Sequence, residues 1–485
     1  MKIYKQDNDY TIYQGDSFEV LDTLEEKSID AIVTDPPYGL TSITKRFGKE
    51  DSAPAKEGKD GSSARLSKGF MGKTWDGTGI EYNVEFWKKC FKVLKPGGYL
   101  LSFGGTRTFH RIACAIEEAG FEIRDTLMWL YGSGFPKSQN VGLAIDKKNG
   151  VKSVDTGIES PNAGPNCTKE NTLYESGTVE KKFTIKQAQN EYAGYGTCLK
   201  PAYEPIIMAR KPVEGTVADN MLKYGVGGIN IDECRVGNDL IKGGTAPKMG
   251  TGDLGICNFK NRNAERIYYP EHLGRFPANV ITDGSDEVKA NMPYTKSTGQ
   301  TSYLPNFKDS KGSHLSFGQN DKPLSRIASN TIYANDEGSA CRYFYCAKAS
   351  KKDRDEGLEE FTLSKTTDGC IRNNQETTRI FGANSSLRHN IHPTVKPTEL
   401  MQYLIRLVVP RGGCVLDPFC GSGSTGKACM YENTERNANY KFIGIEMTEE
   451  YLPIIVARID YAKNKKDFEK IKEAKAKGYE QIKLF

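Results

Sequence analysis

No stretch of the chain holds the roughly 18 consecutive apolar residues that mark a membrane-spanning helix, so no such span is expected. The opening residues, MKIYKQDNDY, lack the apolar stretch of a secretory signal. A cytoplasmic location is the expectation. None of the 12 cysteines forms a Cys-x-x-Cys pair, and the spacing from Cys341 to Cys346 is a poor zinc signature. No metal site is expected, and a cytosolic chain of this size needs no disulfides. The cysteines read as buried thiols. An excess of one charge sign is lacking too, since 67 Lys and Arg face 62 Asp and Glu for a formal net charge of +5. Any basic surface for a polyanionic partner must then be local. There is no simple repeat at a fixed period.

What is present is length and a contrast between ends and middle. The 485 residues, 37% hydrophobic and 27% charged, exceed one ordinary core and predict two or more domains. Ile29 to Thr34 reads as a buried strand that runs into Asp35-Pro36-Pro37-Tyr38, where the prolines end the ladder. Glu85 to Leu94 has helical periodicity, and Lys95-Pro96-Gly97-Gly98 stops it. Tyr99 to Phe103, a helix over Arg107 to Ala119 and a strand over Phe121 to Leu130 come next. Near the other end, Pro397 to Val409 reads as a helix and Cys414 to Asp417 as a strand. A helix from Ser424, a strand over Phe442 to Glu446 and a helix over Tyr451 to Tyr461 complete the pattern. This alternation predicts an α/β fold with a parallel, doubly wound sheet. Residues 132–200 and 213–390 are polar and Gly-rich, with one clear strand, Tyr203 to Arg210, between them.

Asp417-Pro418-Phe419-Cys420-Gly421-Ser422-Gly423 lies between a predicted strand and a predicted helix. Its glycines let the backbone turn tightly and approach a ligand, and the helix start offers free N–H groups. Glu446, at the end of the next strand, is placed to accept hydrogen bonds from two ribose hydroxyls. The same residues also satisfy G-x-G-x-x-G through Gly426, with an acid about 20 residues on, the fingerprint of a dinucleotide enzyme. That enzyme would need further sheet beyond this unit.

Asp35-Pro36-Pro37-Tyr38 carries the sharpest chemistry. An aromatic exocyclic amine is a poor nucleophile because its lone pair is delocalised into the ring. Two acceptors for its hydrogens push the nitrogen toward tetrahedral geometry and aim the lone pair at an electrophilic methyl group. The Asp35 carboxylate and the Pro36 carbonyl are the expected acceptors, in a turn restricted by Pro36 and Pro37. Tyr38 offers a ring face for stacking. The bland alternative is a Pro-Pro turn after a strand.

With these motifs in this order, the sequence resembles the amino-methyltransferases of DNA in their permuted, β-class arrangement. The resemblance covers roughly residues 10–130 and 390–460. It implies a Rossmann-like methyltransferase sheet with a large inserted target-recognition region, and S-adenosylmethionine as cofactor. Asp35, Pro36, Pro37 and Tyr38 match the catalytic motif. Asp417, Pro418, Phe419, Gly421, Gly423 and Ser424 match the cofactor motif, and Glu446 the ribose-binding acid. His392, Thr394, Lys396 and Pro397 fall in the segment that folds over the methionine end, and Asp16 in the motif that contacts the adenine. Asp35 would meet both base and cofactor. The implied division is a catalytic half over 1–131, an insertion over 132–200 and a sheet strand over 201–212. Target recognition would occupy 213–390, the cofactor half 391–462 and a basic tail 463–485.

Asp rather than Ser at the first catalytic position favours N6 of adenine over N4 of cytosine in this family. Transfer to C5 of cytosine needs a nucleophilic cysteine, typically after proline, and the chain has no Pro-Cys pair. Duplex DNA is the expected partner, with the target base flipped into a pocket. Lys45, Arg46, Arg65, Lys68 and Lys73 are candidate phosphate contacts, unless Glu50, Asp51, Glu57 and Asp60 make this stretch a solvated loop. Trp75, Trp129 and Tyr131 either wall the base pocket or pack in a core. The final residues, Gln481 to Phe485, resemble the peptide by which bacterial proteins dock on the replication sliding clamp. They read alternatively as an end that packs on its own domain. A monomer and a homodimer are both compatible with the sequence.

Overall fold

The computed structural model describes residues 2–38, 78–132, 134, 138–159, 166–168, 179–181, 184–241, 244–247, 266–296, 337–347, 350–362, 364–367, 370–371 and 386–465. Two compact units divide the chain. The first comprises 1–233, 279–285 and 346–485, and the second 234–278 and 286–345. The expected region 213–390 spans both units, with 213–233, 279–285 and 346–390 falling in the first.

The first unit is built on strands β1 (Lys2–Gln6), β2 (Tyr10–Gln14), β3 (Ile29–Thr34), β4 (Leu94–Phe103) and β5 (Glu122–Leu130). To these it adds β6 (Tyr203–Arg210), β7 (Val280–Thr282), β8 (Cys414–Asp417) and β9 (Lys441–Glu446). From one edge inward the order is β1, β2, β9, β8, β3, β4, β6, β5, β7. Neighbours from β2 through β4 are all parallel. A parallel sheet was expected, and beyond these strands it is mixed. Strand β6 inserts antiparallel between β4 and β5, and β1 pairs antiparallel with β2. All six residues of β3 are buried, as a central strand covered on both faces requires. Its one acid, Asp30, is matched by Lys95 at 2.6 Å and by the Cys414 N–H at 2.7 Å.

Helices α1 (Ser17–Val20), α2 (Val84–Val93) and α3 (Phe109–Glu118) lie in the N-terminal half. The short α4 (Lys351–Asp355) precedes α5 (Thr398–Val408), α6 (Ser424–Arg436) and α7 (Leu452–Lys463). The Asn83 side chain caps α2 by accepting from the Glu85 N–H, and the helix buries Phe86, Trp87, Cys90 and Val93 along one face. These side chains share a core with Ile29, Ile32, Leu100, Ile112, Ile116 and Ile207. The Lys95-Pro96-Gly97-Gly98 stop does end the helix, but β4 begins at Leu94 and absorbs it.

The second unit, taken by itself, contains antiparallel strand pairs: Val236–Ile241 with His272–Arg275, Gly244–Pro247 with Arg266–Tyr269, and Tyr294–Lys296 with Glu337–Ser339. Among the described cysteines, Cys90, Cys234, Cys420 and Cys429 are buried, whereas Cys114 is exposed, so the uniform reading as buried thiols is corrected. No helix among the described residues is long and apolar enough to cross a membrane.

Candidate active site

Because β2, β9, β8 and β3 run parallel, their C-terminal ends share one side of the sheet, where α/β folds bind ligands. A cleft of about 540 Å³ opens there. The strand ends supply its lining: Asp16 and Ser17 after β2, Asp35 to Tyr38 after β3, Pro418 to Gly421 after β8, and Glu446 with Met447 at β9. Its two halves are fastened together. Thr34 donates its hydroxyl to Asp417 at 2.7 Å, and Ser17 donates to the Pro418 carbonyl.

In the catalytic half, Lys396 donates to Oδ2 of Asp35 at 2.6 Å and to the Tyr38 hydroxyl at 3.1 Å. Its Nζ also lies 3.3 Å from Glu204 Oε2, to which Tyr38 donates at 3.1 Å. Burial alone would pull Lys396 down, but the Asp35 and Glu204 carboxylates outweigh it and hold the ammonium above its ordinary pKa. The same carboxylates, after burial, push the Tyr38 phenol well up. Oδ1 of Asp35 is buried and has no hydrogen-bond partner among the described residues. The Tyr38 carbonyl accepts from Thr108 Oγ1 at 2.8 Å and from the Tyr82 hydroxyl at 3.1 Å, which fixes the exit of the tetrapeptide. Trp129 also lines the cleft, with its Nε1 buried and unpartnered among the described residues.

In the other half, the glycine turn joins β8 to α6. Gly421 and Gly423 have φ of +54° and +76°, a region where a Cβ is strained. Glu446 accepts the Gly421 N–H through Oε2 and the Thr448 N–H through Oε1, each at 2.8 Å. Burial pushes its carboxyl up to about 7. Asp417 is pushed up to about 6 by burial, against hydrogen bonds from Thr425 and Thr34. Beneath the turn, Arg458 of α7 is fully buried and donates to the Ser422 carbonyl at 2.7 Å and to the Ser422 and Ser424 hydroxyls at 3.1 Å. Lys427 is equally buried and pairs with Asp353 at 2.7 Å and Glu356 at 3.0 Å.

A family model described as DNA methylase, for N6 and N4 enzymes, matches residues 29–226 and 250–457. The chain belongs to the N6/N4 DNA methylase family. Similar curated DNA methylases include the type II methyltransferase M.HindIII of Haemophilus influenzae, 25% identical over 45% of this chain and 64% of that protein. The DNA adenine methyltransferase YhdJ of Escherichia coli is 39% identical over 15% of this chain and 22% of its own length. This chain therefore spans less than two thirds of these curated relatives. Among solved structures, the M1.HpyAVI-SAM complex shares 14% identity, with 93% of this chain and 98% of that one covered, at a TM-score of 0.33.

Most of the methylase motif residues expected at the site reach the cleft, but not all in the expected way. Asp16, Asp35, Pro36, Pro37, Tyr38, His392, Thr394, Pro418, Phe419, Gly421 and Glu446 line it. Asp417 and Ser424 line it too, although their side chains are engaged in holding the turn. Pro397 and Gly423 do not line it. Pro397 is the N-cap residue of α5, and Gly423 packs against Ile455. Lys396 lines the cleft as well and donates to Asp35, where a cofactor contact was expected. Lys45, Arg46, Arg65, Lys68, Lys73 and Trp75 lie outside the described residues, as do Gln481 to Phe485.

Three residues at or beneath this cleft escaped the sequence reading. Glu204 is the second residue of the strand Tyr203–Arg210, and a lone acid ahead of the apolar run Pro205 to Ala209 was its only signal. Arg354 lines the cleft and donates to the His392 carbonyl, yet it comes from a polar stretch that gave no pattern. Arg458 interrupts the apolar face of α7, and a buried arginine there has no local signature.

Proposed function

We propose that the chain transfers a methyl group from S-adenosylmethionine to an exocyclic base amine of duplex DNA, N6 of adenine. The observation that carries this reading is the buried Oδ1 of Asp35 in the cleft, unpartnered among the described residues. An unsatisfied buried acceptor costs about 1–3 kcal/mol, and an amine hydrogen relieves it. Lys396 on Oδ2 fixes the carboxylate plane and leaves Oδ1 for that donor.

The residues fit the cofactor. The glycine turn leaves a cradle that a Cβ at Gly421 would fill against His392. Glu446 keeps lone pairs for ribose hydroxyls beyond its two backbone contacts, and Asp16 stands at the rim for the adenine. When bound, the cofactor supplies an electrophilic methyl on a positively charged sulfur.

The chain's own groups do the rest. Asp35 Oδ1 accepts one amine hydrogen and the Pro36 carbonyl the other, which localises the nitrogen lone pair. Tyr38, its hydroxyl tied to Glu204 and Lys396, holds its ring in one orientation for the base. Asp at position 35 supports adenine, with N4 of cytosine the second reading. Target recognition is assigned to the unit over 234–278 and 286–345, and phosphate contacts to Lys45, Arg46, Arg65, Lys68 and Lys73. Docking of Gln481 to Phe485 on a sliding clamp is a separate proposal, tested by deleting those residues in a pull-down with purified clamp.

The test is incubation with methyl-labelled S-adenosylmethionine and unmodified duplex DNA, then digestion and mass spectrometry of the nucleosides. Label on N6-methyladenine is the expected result. Label on N4-methylcytosine would keep the mechanism and overturn the base. Absence of label across varied DNA would overturn the activity.

A further inference from the structure

We infer that Glu204 is a positioning residue that keeps the Asp35–Lys396–Glu204 triad at a net charge of −1, so that the site favours a cationic group beside Asp35. This rests on the methyl-transfer reading and adds a residue to it. Asp35 and Lys396 alone would make a neutral pair, 2.6 Å apart. Glu204 approaches the same ammonium from β6 at 3.3 Å, with all three side chains mostly shielded from water. One ammonium thus faces two carboxylates. Tyr38 bridges by donating to Glu204 while accepting from Lys396, which holds the spacing.

The fold itself does not call for this acid. It lies second in the strand Tyr203–Arg210, whose last six residues are buried, at the end that meets the cleft. Its value is electrostatic. The amine that Asp35 holds must be in line with the donor methyl. As the N–C bond forms, the S–C bond breaks and its electron pair returns to sulfur. Positive charge passes from sulfur to the base amine, which then loses a proton to water. The positive charge thus moves nearer to Asp35 as the N–C bond forms, and only after the proton leaves is the site occupied by neutral species. A net negative triad therefore binds the sulfonium donor more tightly than the thioether product and stabilises the charged transition state.

The test uses two ligands that differ in this charge: S-adenosylhomocysteine, neutral at sulfur, and sinefungin, whose amine is cationic at the methyl position. Glu204→Gln keeps the shape and an acceptor for Tyr38 but neutralises the triad. The preference of the full chain for sinefungin over S-adenosylhomocysteine should fall by about tenfold in Glu204→Gln, with a lower kcat. Glu204→Asp should recover much of both. Equal loss for both ligands, or Glu204→Asp behaving like Glu204→Gln, would mean a packing role and overturn the inference. An unchanged preference and kcat in Glu204→Gln would overturn it as well. If the wild-type chain methylates DNA in that last case, the methyl-transfer reading stands alone. If the wild type binds neither ligand, that reading falls first.

Discussion

A Cβ added to Gly421 would stand 3.0 Å from Nε2 of His392. The imidazole cannot yield easily. Its Nδ1 donates to the Thr394 carbonyl, and its ring meets Tyr451 edge-on at 4.6 Å between centroids. Burial pulls its pKa down to about 3, so it is neutral at physiological pH and Nε2 carries no hydrogen. Gly421→Ala should therefore lower affinity for S-adenosylhomocysteine by about tenfold or more, because turn and ring must shift together. Gly412→Ala is the control. It has φ of +78° with open space around it, and should cost about 1 kcal/mol of stability with affinity unchanged. Titration calorimetry and urea unfolding read the two effects.

Asp35→Asn removes one amine acceptor while preserving volume. Methyl transfer should drop by about 10²- to 10³-fold, and binding of the neutral S-adenosylhomocysteine should stay close to wild type. Filter-binding of labelled DNA measures the first and thermal shift the second. Loss of both would place Asp35 in the fold instead of the chemistry.

Much of this was readable in the linear chain. The strand over Tyr203–Arg210, the strand over Cys414–Asp417 and the start of the helix at Ser424 lie where local periodicity put them. The turn over Asp35 to Tyr38 and the glycine turn were readable because prolines and glycines encode backbone shape locally. What escaped depends on distant partners. The antiparallel insertion of β6 between β4 and β5 is a pairing choice that no residue in Tyr203–Arg210 announces. Strands β1 and β2 are short, and β1 is mostly exposed, so they offered little contrast. Lys396 lay in a recognisable motif, but its partner Asp35 is 361 residues away, and Glu204 joins them only through the folded sheet.

Glu446 gives a pH signature. The folded chain holds its proton up to about 7, whereas an unhindered glutamate releases it near 4.5. Between those values the unfolded state binds fewer protons, so this group's contribution to stability declines as pH rises. The difference in unfolding free energy between wild type and Glu446→Gln should therefore fall from pH 4.5 to pH 7 and then level off. Affinity for S-adenosylhomocysteine should move the opposite way, strengthening toward pH 7 as the carboxylate forms. Glu446→Gln should flatten that rise. Urea unfolding and calorimetry across the range check both slopes.

Arg458→Met removes the cation beneath the glycine turn. The Ser422 carbonyl and the Ser422 and Ser424 hydroxyls lose the guanidinium N–H, and among the described residues the two hydroxyls keep only their bond to each other. A loss of about 3 kcal/mol or more is expected from breaking such a buried polar network, seen as a lower urea midpoint. Cofactor affinity should weaken with it, because the turn's backbone would no longer be braced. A variant as stable as wild type would show that the network is dispensable.

The bond from Thr34 to Asp417 spans 383 residues. Strand β3 has β8 on one side, and β2 has β9, so these two strands complete their pairing only with strands made roughly 400 residues later. At about 10 residues per second, those strand edges wait on the order of 40 s for their neighbours. Throughout that interval the nascent chain displays open, apolar ladders of the kind that capture other chains. Slowed translation or exhausted chaperones should thus reduce the yield of this protein more sharply than that of one whose sheet closes in the order it is made.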